Sequence, residues 1–276
     1  MSALSAHLER VRDCLSARSV RLGGRIQSLW RGYGEVRRVH VEGGPAPTVV
    51  VKHVRPPPDA HPRKLRSYQV EAAFYAGAAQ RCGPACRVAR CHGHWSDGVE
   101  RVFVLEDLGR SGGASVKERL RWLAAFHATF LGQAPEGLWE IGTYWHLETR
   151  PEELARMRDA ALRAEAPALD RQLREARWQT LVHGDAKDAN FCASGRGVAA
   201  VDFQYVGPGP GIRDVAYVID GFGWPTLRKE SYKDLYFEAL RQHLPPSAAD
   251  AVSEEWRTLY PVAVRDFERF LDGWGC

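Results

Sequence analysis

The stretch His183-Gly184-Asp185-Ala186-Lys187-Asp188-Ala189-Asn190, followed twelve residues later by Asp202 in Val201-Asp202-Phe203-Gln204, decides how this chain is read. It places an Asp and an Asn five residues apart on one tight loop, and the next strand delivers a second carboxylate beside them. Phosphoryl transfer asks for such a set. It needs a carboxylate at the acceptor hydroxyl, oxygen ligands for Mg²⁺ on a triphosphate, and cations against the charge that develops as the bond to the leaving group loosens. His183, at the start of the loop, reads as a residue that orients the backbone rather than touching substrate. An ordinary turn between two strands is the plain alternative, and it leaves the second Asp without a purpose.

These residues resemble the protein-kinase-like superfamily, and within it the branch of aminoglycoside phosphotransferases, choline kinases and ecdysteroid-kinase-like proteins, whose catalytic loop reads H-G-D-x-x-x-x-N. Phe203-Gln204, in place of Phe-Gly, looks most like the ecdysteroid-kinase-like group. The resemblance implies an α+β bilobal protein-kinase-like fold. A small N-terminal lobe would hold a five-stranded antiparallel sheet plus a helix, and a larger C-terminal lobe would be mainly helical. It also implies roles. Asp185 would be the catalytic base, Lys187 a contact to the transferring phosphate, Asn190 and Asp202 the Mg²⁺ ligands, and His183 and Asp214 supports of the loop. ATP and Mg²⁺ are the implied cofactors, and a small-molecule alcohol (an aminosugar, choline or an ecdysteroid-like compound) the implied acceptor.

Upstream, Val49-Val50-Val51-Lys52-His53-Val54 is an apolar strand with one inward lysine, which is costly to bury without partners. A kinase supplies two partners: the α/β-phosphates and a glutamate on the following helix. Glu71, within Tyr68–Tyr75, is the candidate for that glutamate. On the residues alone, Lys52 reads equally as a strand-end surface lysine. Val102–Gly109 looks like the last strand of the small lobe running into a hinge, where the resemblance implies adenine contacts from the Glu106 carbonyl and the Leu108 amide. Gly32-Tyr33-Gly34 is the implied phosphate-covering turn. Arg37 stands where the third glycine of the protein-kinase G-x-G-x-x-G falls, and the two glycines also suit a plain hairpin.

Periodicity organises the rest. Leu4, Leu8, Val11 and Leu15 predict an opening helix over 3–18. Strands are expected at Arg25–Trp30, Glu35–Glu42, Thr48–Val54, Val88–His94 and Arg101–Leu108, with a helix from Lys64 to about Gln80. Helices are expected from Ser115 to Gly132, at Glu152–Asp159 and at Asp170–Arg177, and the chain from Asp214 to Cys276 reads as helical. Short strands at Thr180–His183 and Val198–Val201 flank the polar loop. Gly207–Gly211 reads as loop, with Asp214 as the N-cap of the next helix. The boundaries are then 1–109 for a nucleotide-binding lobe, with the hinge at 105–109, and 110–276 for a catalytic and acceptor-binding lobe.

The composition excludes several other classes. Hydrophobic residues make up 45% and charged ones 26%, ordinary for a globular chain of 276 residues. A net charge of +4 with interleaved signs does not call for nucleic acid. No run of about 18 uncharged apolar residues predicts a membrane span. Charges at Glu9, Arg10, Arg12 and Asp13 break any signal-peptide core, so the six cysteines read as reduced thiols and a cytoplasmic location is expected. Cys82, Cys86, Cys91, His92 and His94 lack a C-x₂-C knuckle, so they do not read as a zinc site. A protein Ser/Thr kinase also carries Asp-x-Lys-x-x-Asn. However, the eleven residues between Asp202 and Asp214 are too few for a peptide-docking segment. A nucleotide-binding module without turnover is the other alternative. Trp139, Tyr144, Trp145, Trp224, Tyr232 and Trp256 are the aromatic candidates for an acceptor pocket, and aromatic faces with carboxylates would suit a cationic acceptor.

Overall fold

The computed structural model describes residues 3–221 and 226–274. A 3₁₀ turn at Ala3–His7 and the helix α1 (Leu8–Cys14) precede five strands, β1 (Ser19–Ser28), β2 (Gly34–Glu42), β3 (Thr48–Val54), β4 (Cys91–Asp97) and β5 (Glu100–Glu106). They form one antiparallel sheet in the order β1-β2-β3-β5-β4. The central strand β3 alternates its burden. Val49 and Val51 pack with Leu4, Val11, Val39 and Val104 under the N-terminal helix. Lys52 and Val54 face the other side, where helix α2 (Pro62–Ala76) lies. Helix α2 starts at Pro62, with the His61 ring accepting from the Arg63 amide at 3.2 Å, and buries Tyr68, Val70, Glu71 and Phe74.

The remainder is mainly helical: α3 (Val116–Thr129), α4 (Pro151–Arg156), α5 (Ala160–Arg174), α6 (Ile212–Asp220), α7 (Thr226–Arg241) and α8 (Pro246–Trp274). A capping box starts α3: the Glu118 amide donates to Ser115 Oγ at 3.2 Å, and the Ser115 amide donates back to Glu118 Oε2 at 2.8 Å. Its apolar stripe of Leu120, Leu123 and Phe126 is fully buried. Two short ladders sit among these helices. β6 (Thr180–Val182) pairs with β9 (Gly207–Gly209), and β7 (Phe191–Ser194) with β8 (Gly197–Ala200). The fold is the α+β, kinase-like arrangement expected, with a five-stranded sheet first and helices after.

Several boundaries differ from expectation. β1 begins at Ser19 rather than Arg25: Val20 and Leu22 alternate onto the core under α1, but Gly23-Gly24 after them reads as a break in the sequence. β4 lies three residues later than expected, and the hairpin turns at Gly98-Val99. Helix α2 stops at Ala76, with Gly77 as C-cap, so Gln80 falls in a separate 3₁₀ turn. Helix α5 begins at Ala160, ten residues before the expected start, and carries Pro167 within it. β7 carries no expectation at all, and the Gly-Pro run expected as loop contains β9. Asp214 is not an N-cap. Gly211 takes that position and Asp214 lies in the first turn of α6. Trp224 and Cys276 fall outside the described residues.

Candidate active site

The loop 183–190 is held between β6 and β7 by its own backbone and by Asp214. The His183 and Gly184 amides donate to the two Asp214 carboxylate oxygens at 2.6 and 3.0 Å. His127 is fully buried and supports Asp214 from behind: Nε2 lies 3.2 Å from Asp214 Oδ2, and Nδ1 is 2.8 Å from the Tyr236 hydroxyl. His183 Nε2 donates to the Val201 carbonyl at 3.1 Å, which leaves Nδ1 to accept the Asp185 amide at 3.3 Å. The ring thus ties the loop to the strand end that precedes Asp202. Gly184 has φ +77, and a Cβ there would collide with the Tyr205 carbonyl, so glycine is obligatory at this turn.

Asp185 is buried. Its Oδ2 accepts from Lys187 Nζ at 2.7 Å and from Asn190 Nδ2 at 3.1 Å, and the Tyr217 hydroxyl lies 3.5 Å from Oδ1. Burial pushes the Asp185 carboxyl above the ordinary carboxylate value, and the adjacent Lys187 ammonium holds it back. Asn190 donates its amide to Asp185 both at Oδ2 and at the backbone carbonyl, 2.8 Å away. Its carbonyl Oδ1 is therefore the atom that suits a hard cation.

Asp202 follows β8 with φ +67, a left-handed conformation held by its surroundings. Phe203, fully buried, supplies much of that hold. Its ring stacks on Phe74 of α2 at 3.9 Å and lies 4.7 Å from the His183 ring. Asp202 Oδ1 accepts from Lys52 Nζ at 2.9 Å and from Gln204 Nε2 at 2.6 Å. Lys52 also donates to both Glu71 oxygens, at 2.9 and 2.7 Å. Burial alone would favour the neutral amine, but Asp202 and Glu71 outweigh it, so Lys52 keeps its proton. The same lysine, with Lys187, overcomes burial at Asp202 and holds that carboxyl well below its usual range. Lys52, Glu71 and Asp202 thus form one bonded set and Asp185, Lys187 and Asn190 a second, tied through the backbone where the Val201 amide donates to the Asn190 carbonyl at 2.9 Å.

At the Gly32-Tyr33-Gly34 turn, Arg31, Gly32 and Gly34 all have positive φ, and a Cβ on Gly34 would collide with the His53 carbonyl. Glu106 ends β5, and its carboxylate takes Arg87 at 2.6 Å and Arg196 at 2.7 Å. Leu108 is buried in the main core.

The model of the phosphotransferase enzyme family matches residues 26–250. The chain belongs to this family. No curated protein matches it in sequence. Among solved structures, a choline kinase from Cryptosporidium parvum is similar over 98% of this chain and 89% of its own, with TM-score 0.60 and 10% identity. Amicoumacin kinase in complex with AMP-PNP, Ca²⁺ and its ligand is similar over 97% and 86%, with TM-score 0.57 and 13% identity. An aminoglycoside-3'-phosphotransferase of type VIII is similar over 97% and 98%, with TM-score 0.53 and 16% identity. At these identities the likeness is one of fold.

This phosphotransferase-family chain places a cavity of about 240 Å³ against Asp185. Its aromatic wall is Trp30, Tyr144, Tyr205, Tyr217 and Trp274. Of the aromatics picked out from sequence that lie among the described residues, only Tyr144 is there. Trp145, Tyr232 and Trp256 are core residues, Trp145 donating to Asp266 at 3.1 Å and Trp256 to the Trp178 carbonyl at 3.0 Å. Trp139 stacks on Tyr205 from the outside. Gln204 is a further residue given no role in advance. It links Asp202 to α2, accepting from Ser67 Oγ at 3.1 Å. The signal that could have found it is its position two residues after Asp202, where a glycine would have no reach.

Proposed function

We propose that this chain transfers the γ-phosphoryl group of ATP to a hydroxyl of a small molecule. The observation that carries the reading is the Lys52–Glu71–Asp202 bridge, which joins the sheet and α2 to the strand end beside Asp185. In this reading residues 1–109 are the nucleotide lobe, and 110–276 are the catalytic and acceptor lobe. Lys52, positioned by Glu71, meets the α/β-phosphates. The Gly32–Gly34 turn covers them, and Glu106 and Leu108 meet adenine through their backbone. Asn190 Oδ1 and Asp202 are the oxygen donors for Mg²⁺, a set that fits a hard cation. When bound, that ion would neutralise phosphate charge.

Asp185 acts as the base. It takes the proton of the acceptor hydroxyl as that oxygen bonds to the γ-phosphorus, while the bond from phosphorus to the β,γ-bridging oxygen breaks and ADP leaves. Lys187 neutralises the transferring group, while His183 and Asp214 keep the loop in place. Membership of the phosphotransferase family and the similarity in fold to a solved AMP-PNP complex support nucleotide use. No described helix is long and apolar enough to cross a membrane. An ATP-consuming enzyme with unpaired cysteines at 14, 82, 86, 91 and 192 suits the cytoplasm.

The test is ADP release from ATP and Mg²⁺ across a panel of hydroxylated metabolites. At least one acceptor should stimulate release, and a chelator should abolish it. Tight nucleotide binding with no acceptor-dependent release would favour a binding module instead.

A further inference from the structure

The cavity beside Asp185 is unexpectedly cationic. Arg63, Lys64, Arg150 and Lys187 line it, and Asp185 is the only carboxylate among its described walls. An adjoining cavity shares Trp30, Arg63, Arg150 and Trp274 with it, adding Arg31 and Arg156 against Glu152 and Glu153. Across the two, six cationic side chains face three carboxylates.

Part of this charge is already engaged. Lys187 pairs with Asp185, and Arg150 donates to the Tyr144 carbonyl at 2.7 Å and to Glu153 at 3.3 Å. Arg63 Nη1 donates to the Thr149 carbonyl at 3.0 Å and lies 3.7 Å from Glu152 Oε2. Two buried polar atoms on the walls of the Asp185 cavity nevertheless have no hydrogen-bond partner: Arg63 Nε and the Tyr205 hydroxyl. A guanidinium only donates, so an acceptor is what the Arg63 side chain on this wall would take, and carboxylate or phosphate oxygens match it best.

Arg63 and Arg150 exchange no hydrogen bond with Lys52, Asn190 or Asp202. Instead they sit on the wall shared with the adjoining cavity, Arg150 lying 5.0 Å from the Trp274 ring.

We propose that the acceptor is an anionic alcohol, its hydroxyl at Asp185 and its carboxylate or phosphate group at Arg63, bedded against the rings of Tyr144 and Tyr205. This rests on the phosphotransferase reading and narrows it. Bond making and breaking stay at the hydroxyl oxygen and the γ-phosphorus, and the anionic group is unchanged by the reaction. Choline or an aminosugar would bring the wrong sign of charge into this cavity.

The experiment compares four sets of alcohols: hydroxy acids (glycerate, gluconate), sugar phosphates (glucose 1-phosphate), neutral polyols (glycerol, glucose) and cations (choline, kanamycin). Binding to the chain loaded with AMP-PNP and Mg²⁺ is measured by calorimetry, and ADP release with ATP is then scored. Binding confined to one or both anionic sets is expected, and their comparison tells carboxylate from phosphate. Arg63→Gln should weaken that binding at least tenfold while the affinity for AMP-PNP stays within twofold. Should Arg63→Gln not fold, Arg63→Lys, which keeps the charge but loses the fork, should still weaken it. Turnover of choline or kanamycin in preference to every anion would overturn the proposal and leave phosphotransfer standing. Anions that fail to bind the loaded chain, or that bind the Arg63 variant undiminished, overturn it too. Failure to bind AMP-PNP at all would remove the reading on which it rests.

Discussion

Asp185 is the proposed base, and its neighbours set its proton affinity. Burial raises its pKa and Lys187, 2.7 Å away, lowers it. A base must be unprotonated to act, so kcat/KM should fall on the acid side, with an apparent pKa above that of an ordinary Asp. Removing the lysine removes the lowering influence. In Lys187→Ala the acid limb of the kcat/KM profile should therefore move to higher pH, in addition to any loss of rate. A limb that stays put, or moves to lower pH, would mean that Lys187 does not act on Asp185. The loop that carries the proposed chemistry was legible because Asp185, Asn190 and Asp202 lie within eighteen positions, at a spacing that phosphoryl transfer asks for. The cavity walls were not. Trp30, Arg63, Tyr144 and Trp274 arrive from four separated segments, and nothing local marks them as neighbours. Trp256 and Trp145 resemble pocket aromatics in sequence, yet their ring N–H groups are satisfied inside the core.

Helix α6 shows how an element can hold a loop. Its first turn places Asp214, fully buried, where two loop amides converge on one carboxylate and His127 backs it. Asp214→Ala would leave both N–H groups buried and unpaired, a cost on the order of 3 kcal/mol. Thermal unfolding should report a fall of roughly 6–12 °C for a chain of this size. Catalytic rate should fall with it, because the turn at Gly184 would lose its anchor. An unchanged melting temperature would contradict the bracing role. Elements were legible in proportion to their apolar regularity. β3 was read to its ends because the β-branched run Thr48–Val51 and Val54 bracket it between turn-forming segments. β1 lost its first six residues to the break at Gly23 and Gly24, and α5 its first ten where Pro167 interrupts the helical signal. β9 is Gly-Pro-Gly, a composition that argues against a strand. It pairs with β6 all the same, because the tertiary packing presents it an edge.

Across the whole molecule, the sheet contributes a lysine, α2 a glutamate, and the helical part the Asp-Asn-Asp set, and the two bonded sets they form lie where the two parts of the fold meet. Phe203 lies at the same junction, stacked on Phe74 and tilted against His183, so the apolar contact and the ionic one hold the same geometry. A phosphotransferase built this way separates binding from chemistry. In the proposed reading, Lys52, Asn190 and Asp202 hold the nucleotide, and Asp185 takes the acceptor proton. The direct test is Asp185→Asn, a change that keeps shape and removes the base. With an acceptor identified by ADP release, single-turnover phosphoryl transfer should fall by roughly 10²–10⁴-fold while AMP-PNP affinity stays near that of the unmodified chain. Transfer at an undiminished rate by the Asn variant would contradict the account at its centre.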